Sequence, residues 1–299
     1  MKERKKFRFE KVSRLGLLPE HKKEEDYNKW LLSWFIGFFE ADGSFEKDGR
    51  VNITQGSGDI QVLHRLRTAM GFGNVVSDNI VGVTSKGTHR WRTKGGDVRV
   101  AARLAIILNG NLVTGKKLED FGVWYRYHCR KALFKKLVGP DFVLQTERNK
   151  GLISLENRWL AGFIDGEGCF SISLSLRDNK KDLKGFKVNR TIRVMVASQG
   201  DPLWVSDVIE VLGMGRRDPK NSRLNQKWTV SKKEEVDKVI EYIENFSLWT
   251  KKSISFIKFC KVRRRIYKNE DRLTLSGFES VKIEASKINQ DHGCLGQDM

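Results

Sequence analysis

The chain has little cysteine, no long apolar run and a shortage of acids, and each shortage excludes something. Its 299 residues hold four cysteines, Cys129, Cys169, Cys260 and Cys294. None is spaced as Cys-x-x-Cys, and the five histidines do not cluster with them, so neither a zinc module nor a disulfide framework is expected and a reducing compartment fits best. The longest apolar run, around Trp34 to Phe39, is far short of the ~20 residues of a membrane helix. The N-terminus carries Lys2, Arg4, Lys5, Lys6 and Arg8, interrupted by Glu3 and Glu10 and followed by no apolar core. It reads as a basic extension over residues 1–25 and not as a signal or transit peptide. Acids number 37 against 56 lysines and arginines, a net charge of +19. With 39% hydrophobic residues the chain can bury a core. A globular chain this basic points to a polyanion, and nucleic acid is the expected partner.

The chain is written twice. Phe35-Ile36-Gly37-Phe38-Phe39-Glu40-Ala41-Asp42-Gly43-Ser44-Phe45 aligns without a gap on Leu160-Ala161-Gly162-Phe163-Ile164-Asp165-Gly166-Glu167-Gly168-Cys169-Phe170. More matches follow in the same order. Thr54-Gln55-Gly56 matches Ser198-Gln199-Gly200, and Met70-Gly71-Phe72-Gly73 matches Leu212-Gly213-Met214-Gly215. Arg90-Trp91-Arg92 resembles Gln226-Lys227-Trp228, and Leu112 to Lys117 matches Leu248 to Lys252. Spacings between the matches differ, so the repeats differ in loop length. Each repeat reads as helix, hairpin, helix, hairpin, helix. The first helix runs from Asp26 or Tyr27, with Asp26 as a cap, to Ala41, where Gly43 ends it; Asn157 caps and Gly168 ends its counterpart. Phe170, Ile172, Leu174 and Leu176 alternate with polar residues as a half-buried strand does. Asp48-Gly49 predicts a tight turn and a short first hairpin. Helices are predicted over residues 58–70, 97–108, 202–212, 234–245, 253–267 and 276–288. A linker opens at Gly139-Pro140-Asp141.

These paired motifs resemble the signature of the monomeric LAGLIDADG homing endonucleases, intron-encoded enzymes that cut DNA. The resemblance covers residues 26–290. It implies an α+β fold of two pseudo-symmetric αββαββα repeats, residues 26–138 and 157–290, joined by a linker over 139–156 and followed by a tail over 291–299. The motif helices would pack together at the repeat interface, under an antiparallel β saddle for double-stranded DNA. Close approach of two helix backbones needs residues with little or no side chain, and Gly37, Ala41, Ala161, Gly162 and Gly166 supply them. Phe38, Phe39, Phe163 and Ile164 would then face their own repeat's core. Ile36, where the family commonly has alanine, implies looser packing.

Asp42 and Glu167 are each the last acid before a terminating glycine. A helix C-terminus carries unpaired carbonyls and partial negative charge, so an acid there is unfavourable by roughly 0.3–1 kcal/mol unless a cation is nearby. Two such tips would form a hard-oxygen site suited to Mg²⁺ or a similar divalent ion. The resemblance implies that Asp42 and Glu167 hold the metals together with the backbone carbonyls of Ala41 and Gly166, and that Glu40 and Asp165 serve helix-end structure instead. It assigns Gln55 and Gln199 to organising water near the metals. Lys116 and Lys251 match a pocket lysine that offsets phosphate charge, with Lys117 and Lys252 as competing choices.

DNA would be read in the major groove, which admits a two-stranded ribbon. The outward-facing candidates are Ser44, Glu46, Arg50, Asn52, Arg90 and Arg92 in the first repeat. In the second they are Ser171, Ser173, Ser175, Arg177, Lys187, Asn189, Arg216, Arg217, Arg223 and Lys227. The strand Thr191 to Gln199 has two readings: apolar alternation buries Ile192, Val194 and Val196, whereas counting back from Gln199 buries Met195 and Ala197. A bulge could reconcile them. The expected activity is metal-dependent cleavage of both strands of a long duplex site by a monomer, leaving short 3′ overhangs. An intron maturase binding RNA on the same fold is the alternative. No membrane partner is expected, and family analogy implies an organelle.

Overall fold

The structure is a computed structural model describing residues 25–78, 87–176, 188–199, 201, 203–218 and 225–290. The tail, nearly all of the N-terminal extension, and the candidates Arg177, Lys187 and Arg223 lie outside the described residues. The first repeat runs α1 (Glu25–Asp42), β1 (Gly43–Phe45), β2 (Val51–Gly56), α2 (Ile60–Met70), β3 (Asn74–Asp78), β4 (Thr88–Arg92) and α3 (Val98–Leu108), followed by α4 (Gly115–His128) and α5 (Ala132–Val138). The second runs α6 (Trp159–Glu167), β5 (Gly168–Leu176), β6 (Val188–Gln199), α7 (Trp204–Leu212), β7 (Arg216–Arg217), β8 (Asn225–Val230) and α8 (Lys233–Asn245). Helices α9 (Lys252–Tyr267), α10 (Glu270–Leu273) and α11 (Leu275–Ser286) follow. Two αββαββα units are thus present. Asp26, read from the sequence as a cap, is instead the second residue of α1. Asn157 does serve α6, accepting from the Trp159 backbone N–H at 2.8 Å.

Helices α1 and α6 are apolar almost all round, the mark of a helix with no solvent face. Every residue from Leu31 to Glu40 and from Trp159 to Asp165 is buried. They cross where neither has a side chain. A methyl group at Gly37 would overlap the carbonyl oxygen of Trp159, and one at Gly162 would overlap that of Trp34. The surrounding aromatics mostly face their own cores. Phe35 packs on Trp91, Phe39 on Phe45, and Phe163 stacks on Trp204 at 4.8 Å. Phe38 departs from its expected place. It stacks on Trp34 at 4.7 Å, and the Trp34 ring lies on Trp249 of the other repeat at 4.2 Å. Ile36 is fully buried.

Each repeat carries a four-stranded antiparallel sheet, in the orders β1-β2-β4-β3 and β5-β6-β8-β7. One face lies on the helices through Val51, Ile53 and Trp91, or through Phe170, Val194, Val196 and Trp228, all fully buried. The matched Gly-x-Gly segments explain themselves here. Gly71 (φ 71°) and Gly213 (φ 64°) end α2 and α7 in the left-handed region. The next carbonyl in each, of Phe72 and Met214, accepts from the indole N–H of Trp91 and Trp228. Gly49 (φ 82°) closes the predicted short turn between β1 and β2. Only three residue pairs join β1 to β2, against nine for β5 and β6.

The register of β6 follows the apolar alternation. Val194 pairs with Phe170 and Val196 with Gly168, while Met195 and Ala197 fall on the open face. Pairing is continuous along the strand, so no bulge intervenes. Residues 139–156 form a strap across both repeats. Asn149 bonds the backbone carbonyls of Gly110 and Leu112, and Arg148 and Lys150 pair with Asp207 of α7 at 2.5 and 2.7 Å. Buried Asp271 accepts both Nε and Nη2 of Arg190 in β6, tying the C-terminal helices to the sheet.

The crossing makes a direct prediction. Gly37→Ala and Gly162→Ala should each cost about 3 kcal/mol or more, because overpacking here meets backbone and not a movable side chain. Gly56→Ala, with nothing near its added methyl, should change stability by less than about 0.5 kcal/mol. Chemical denaturation of the three variants measures the contrast.

Candidate active site at the paired helix tips

The two motif helices end side by side. A methyl group at Gly166 would overlap Cβ of Ala41 and fall 2.9 Å from Oδ2 of Asp42. The acid of one tip therefore lies against the backbone of the other. Asp42 Oδ2 accepts from Nε2 of Gln55 at 2.6 Å. Burial pushes the Asp42 carboxyl above its ordinary range, and Lys252, Gln55 and Lys117 pull it back. Burial also lowers the Lys117 ammonium. A cleft of about 230 Å³ beside the tips is lined in part by Ala41, Lys116, Lys117, Asp120, Phe163 and Glu167.

Within each lysine pair the second member bonds a backbone carbonyl near a tip. Lys117 Nζ donates to the carbonyl of Gly43, and Lys252 Nζ to the carbonyl of Gly166. One ammonium group thus sits on the first carbonyl of β1, just after Asp42, and the other on a helix-end carbonyl just before Glu167. Lys116, matched from the sequence, lines the same cleft, and Lys251 is engaged by the first repeat. Lys116 pairs with Asp120 one turn along α4 at 2.5 Å. The Lys251 side chain lies over Gly58, where an added methyl would strike its ammonium.

The glutamines are not equivalent. Gly43 pairs with Ile53 and Gly168 with Val196, so the position matching Gln55 by register is Ser198. Gln199 lies one residue further, opposite Asn225. Opposite Ser198 stands Gln226, buried, its Oε1 without a hydrogen-bond partner among the described residues. Identity-based alignment pairs the glutamines and misses this shift.

Glu40 and Asp165 form a crossed pair of buried carboxylates. Glu40 Oε1 accepts from the backbone N–H groups of Val113 and Thr114 and from the Thr114 hydroxyl, all within 2.9 Å. Its Oε2 accepts from the indole of Trp159, in the other repeat, at 2.7 Å. Asp165 repeats this with Trp249, Thr250 and the indole of Trp34. Burial pushes Glu40 up to about 7 against these four donors, and raises Asp165 likewise. Each acid holds the segment leading into the lysine-bearing helix of its own repeat and a tryptophan of the other.

The open faces of the sheets carry most of the remaining candidates. Ser44 and Asn52 pair across β1 and β2, and both bond Oε1 of Glu46, at 3.0 and 2.8 Å. Arg90 and Arg92 lie on the same face, opposite Thr54 and Asn52. Arg50 is paired with Asp48 in the turn. In the second repeat Ser171, Ser173 and Ser175 face Arg193, Thr191 and Asn189, and Lys227 pairs with Ala197 on that face. Arg193 and Thr191 were missed by the sequence reading; following the alternation of Val194 and Val196 would have found them. Arg216 pairs with Thr229 on the open face, but Arg217 turns back to Ser206 of α7 at 2.6 Å. Among the described residues no three His, Cys, Asp or Glu side chains are grouped to hold a metal ion, and no helix is long and apolar enough to cross a membrane.

Residues 160–263 match the LAGLIDADG endonuclease family. A probable intron-encoded endonuclease 4 of Neurospora crassa is 31% identical over 247 residues, 81% of this chain and 41% of its own length. The chain thus spans less than half of that relative. An uncharacterized cox1 intron-2 protein of Schizosaccharomyces pombe is 26% identical over 271 residues, 89% of this chain and 74% of its own. I-SmaMI, solved with cleaved DNA, shares the fold with a TM-score of 0.63 at 16% identity, over 87% of this chain and 97% of its own. The same protein has been solved on uncleaved DNA in the presence of calcium ions, with a TM-score of 0.60 at 18% identity over 86% and 98% of the two chains.

Trp159→Phe should remove one charge-assisted donor from buried Glu40 and cost about 1.5–3 kcal/mol. Trp34→Phe should do the same at Asp165. Equilibrium unfolding measures both.

Proposed function

We propose that this chain, whose residues 160–263 match the LAGLIDADG endonuclease family, is a member of that family and a site-specific nuclease that hydrolyses both strands of a long duplex DNA site, acting as a monomer and leaving short 3′ overhangs. The observation that carries this reading is the contact between the two acid-bearing helix tips, with Asp42 against Gly166. One molecule then holds two cutting centres close enough for one DNA duplex.

The donor set suits hard divalent cations such as Mg²⁺. It offers two carboxylates, Asp42 and Glu167, and helix-end carbonyls at Ala41 and Gly166. That the Gly166 oxygen already accepts an ammonium group supports its readiness for a cation. Bound divalent ions would supply polarisation of the scissile phosphates and a more acidic attacking water. The protein's own groups do the rest. Gln55 orients the Asp42 carboxylate. Lys117 and Lys252 bring positive charge to the developing phosphate charge. The basic sheet faces grip the DNA, with Ser44, Glu46, Asn52, Arg90 and Arg92 in one groove segment and Ser171, Ser173, Ser175, Asn189, Arg193 and Lys227 in the other. The names of the relatives, both tied to introns and one to cox1, support an organellar setting, most simply the mitochondrion.

Selection of cleaved molecules from a randomised duplex pool, with and without Mg²⁺, tests the reading and returns the target sequence. Binding without cleavage under every divalent metal tried would sink it. On the recovered site, Asp42→Asn and Glu167→Gln should lower the single-turnover rate at least about 10²–10³-fold and leave DNA affinity intact. Lys117→Met and Lys252→Met should each slow cleavage strongly.

A further inference from the structure

Each lysine-bearing helix begins under two carboxylates, one from each repeat. Glu40 and Asp165 are the acids from the same repeat. The others cross the interface. The backbone N–H of Gly115, first residue of α4, donates to Oδ2 of Asp201 at 2.6 Å. The backbone N–H of Lys251, just before α9, donates to Oδ1 of Asp59 at 2.6 Å. The two contacts are related as the repeats are. Asp59 follows β2 and Asp201 follows β6, each where the chain leaves its sheet for the next helix. Asp201 is buried and uses both oxygens, since its Oδ1 also accepts from the N–H groups of Leu203 and Trp204 at the start of α7. Asp59 makes no side-chain cap to its own helix α2, so its bond to Lys251 is not a by-product of local capping.

We propose that Asp59 and Asp201 are positioning residues, each setting the reach of the other repeat's lysine. Gly115 lies two residues before Lys117, and Lys251 one before Lys252. The first turn of a helix has free N–H groups and a positive dipole end. A carboxylate from a neighbouring body fixes that turn in both axial position and rotation. A displacement of about 1 Å in a catalytic group costs on the order of 10²-fold in rate, so slack at this turn reads out as chemistry. The arrangement is reciprocal: Asp201 of the second repeat serves Lys117, and Asp59 of the first serves Lys252. The inference rests on the reading of Lys117 and Lys252 as the groups that offset phosphate charge.

The test is single-turnover cleavage of the selected duplex with the two strands labelled separately, using the full chain. Lys117→Met and Lys252→Met first identify which strand depends on which lysine. Asp59→Ala should then slow the Lys252-dependent strand about tenfold or more, leave the other strand near the wild-type rate, and accumulate a nicked intermediate. Asp59→Asn keeps an oxygen acceptor for the Lys251 N–H and should restore the rate. Asp201→Ala should show the opposite strand bias; if that variant does not fold, the half-buried Asp59 pair still decides. Equal slowing of both strands by Asp59→Ala, no slowing at all, or no rescue by Asn would overturn the proposal. If neither lysine variant slows either strand, the lysine reading itself fails, and the inference with it.

Discussion

Everything in this molecule depends on two helices touching through their backbones. The crossing at Gly37 and Gly162 lets the carbonyl oxygens of Trp159 and Trp34 occupy the space a side chain would need. That contact fixes the distance between repeats more tightly than side-chain packing could, because peptide groups have no rotamers to adjust. The acid-bearing tips inherit the fixed distance, and so do the sheets above them. The buried carboxylates then reinforce it. Glu40 and Asp165 are expensive to desolvate, yet each is met by four donors, one of them an indole from the opposite repeat. Losing the interface would strand both charges, so the two halves stand or fall together.

Most of the fold was legible in the sequence because repetition made it so. A glycine, an acid or a tryptophan that recurs in matched order is read twice, and the structure gives each pair one job. The Gly-x-Gly segments receive the indoles of Trp91 and Trp228, and the penultimate acids hold the segments leading into the lysine-bearing helices. The register of Thr191 to Gln199 was not legible in this way: the sequence allows two readings, and the structure takes the one that buries Val194 and Val196.

What was not legible depended on rotation by a single residue. Lys116 and Lys117 are indistinguishable as letters, but only Lys117 bonds the carbonyl of Gly43, while Lys116 pairs with Asp120. Gln55 and Gln199 are identical as letters, but sit one register position apart. Arg217 looked like Arg216 and faces the other way. Phe38 looked like a core residue of its own repeat and joined an aromatic stack leading into the other. In each case local composition is the same for both answers, and the choice is made by tertiary contacts such as those to Gly43, Gly166 and Ser206. The cross-repeat bonds of Asp59 and Asp201 belong to the same class: the distance in sequence between partners leaves no local trace.

The unequal hairpins carry a consequence of another kind. At about 3.3 Å per residue, three paired residues span about 10 Å and nine span about 30 Å. On the proposed reading, one arm could inspect only a few base steps through its leading hairpin while the other follows nearly a full helical turn. Information about the target would then be stored unevenly. Drift in a host genome would escape notice on one flank and abolish recognition on the other, and the tolerant flank is where such a protein could first acquire a new address.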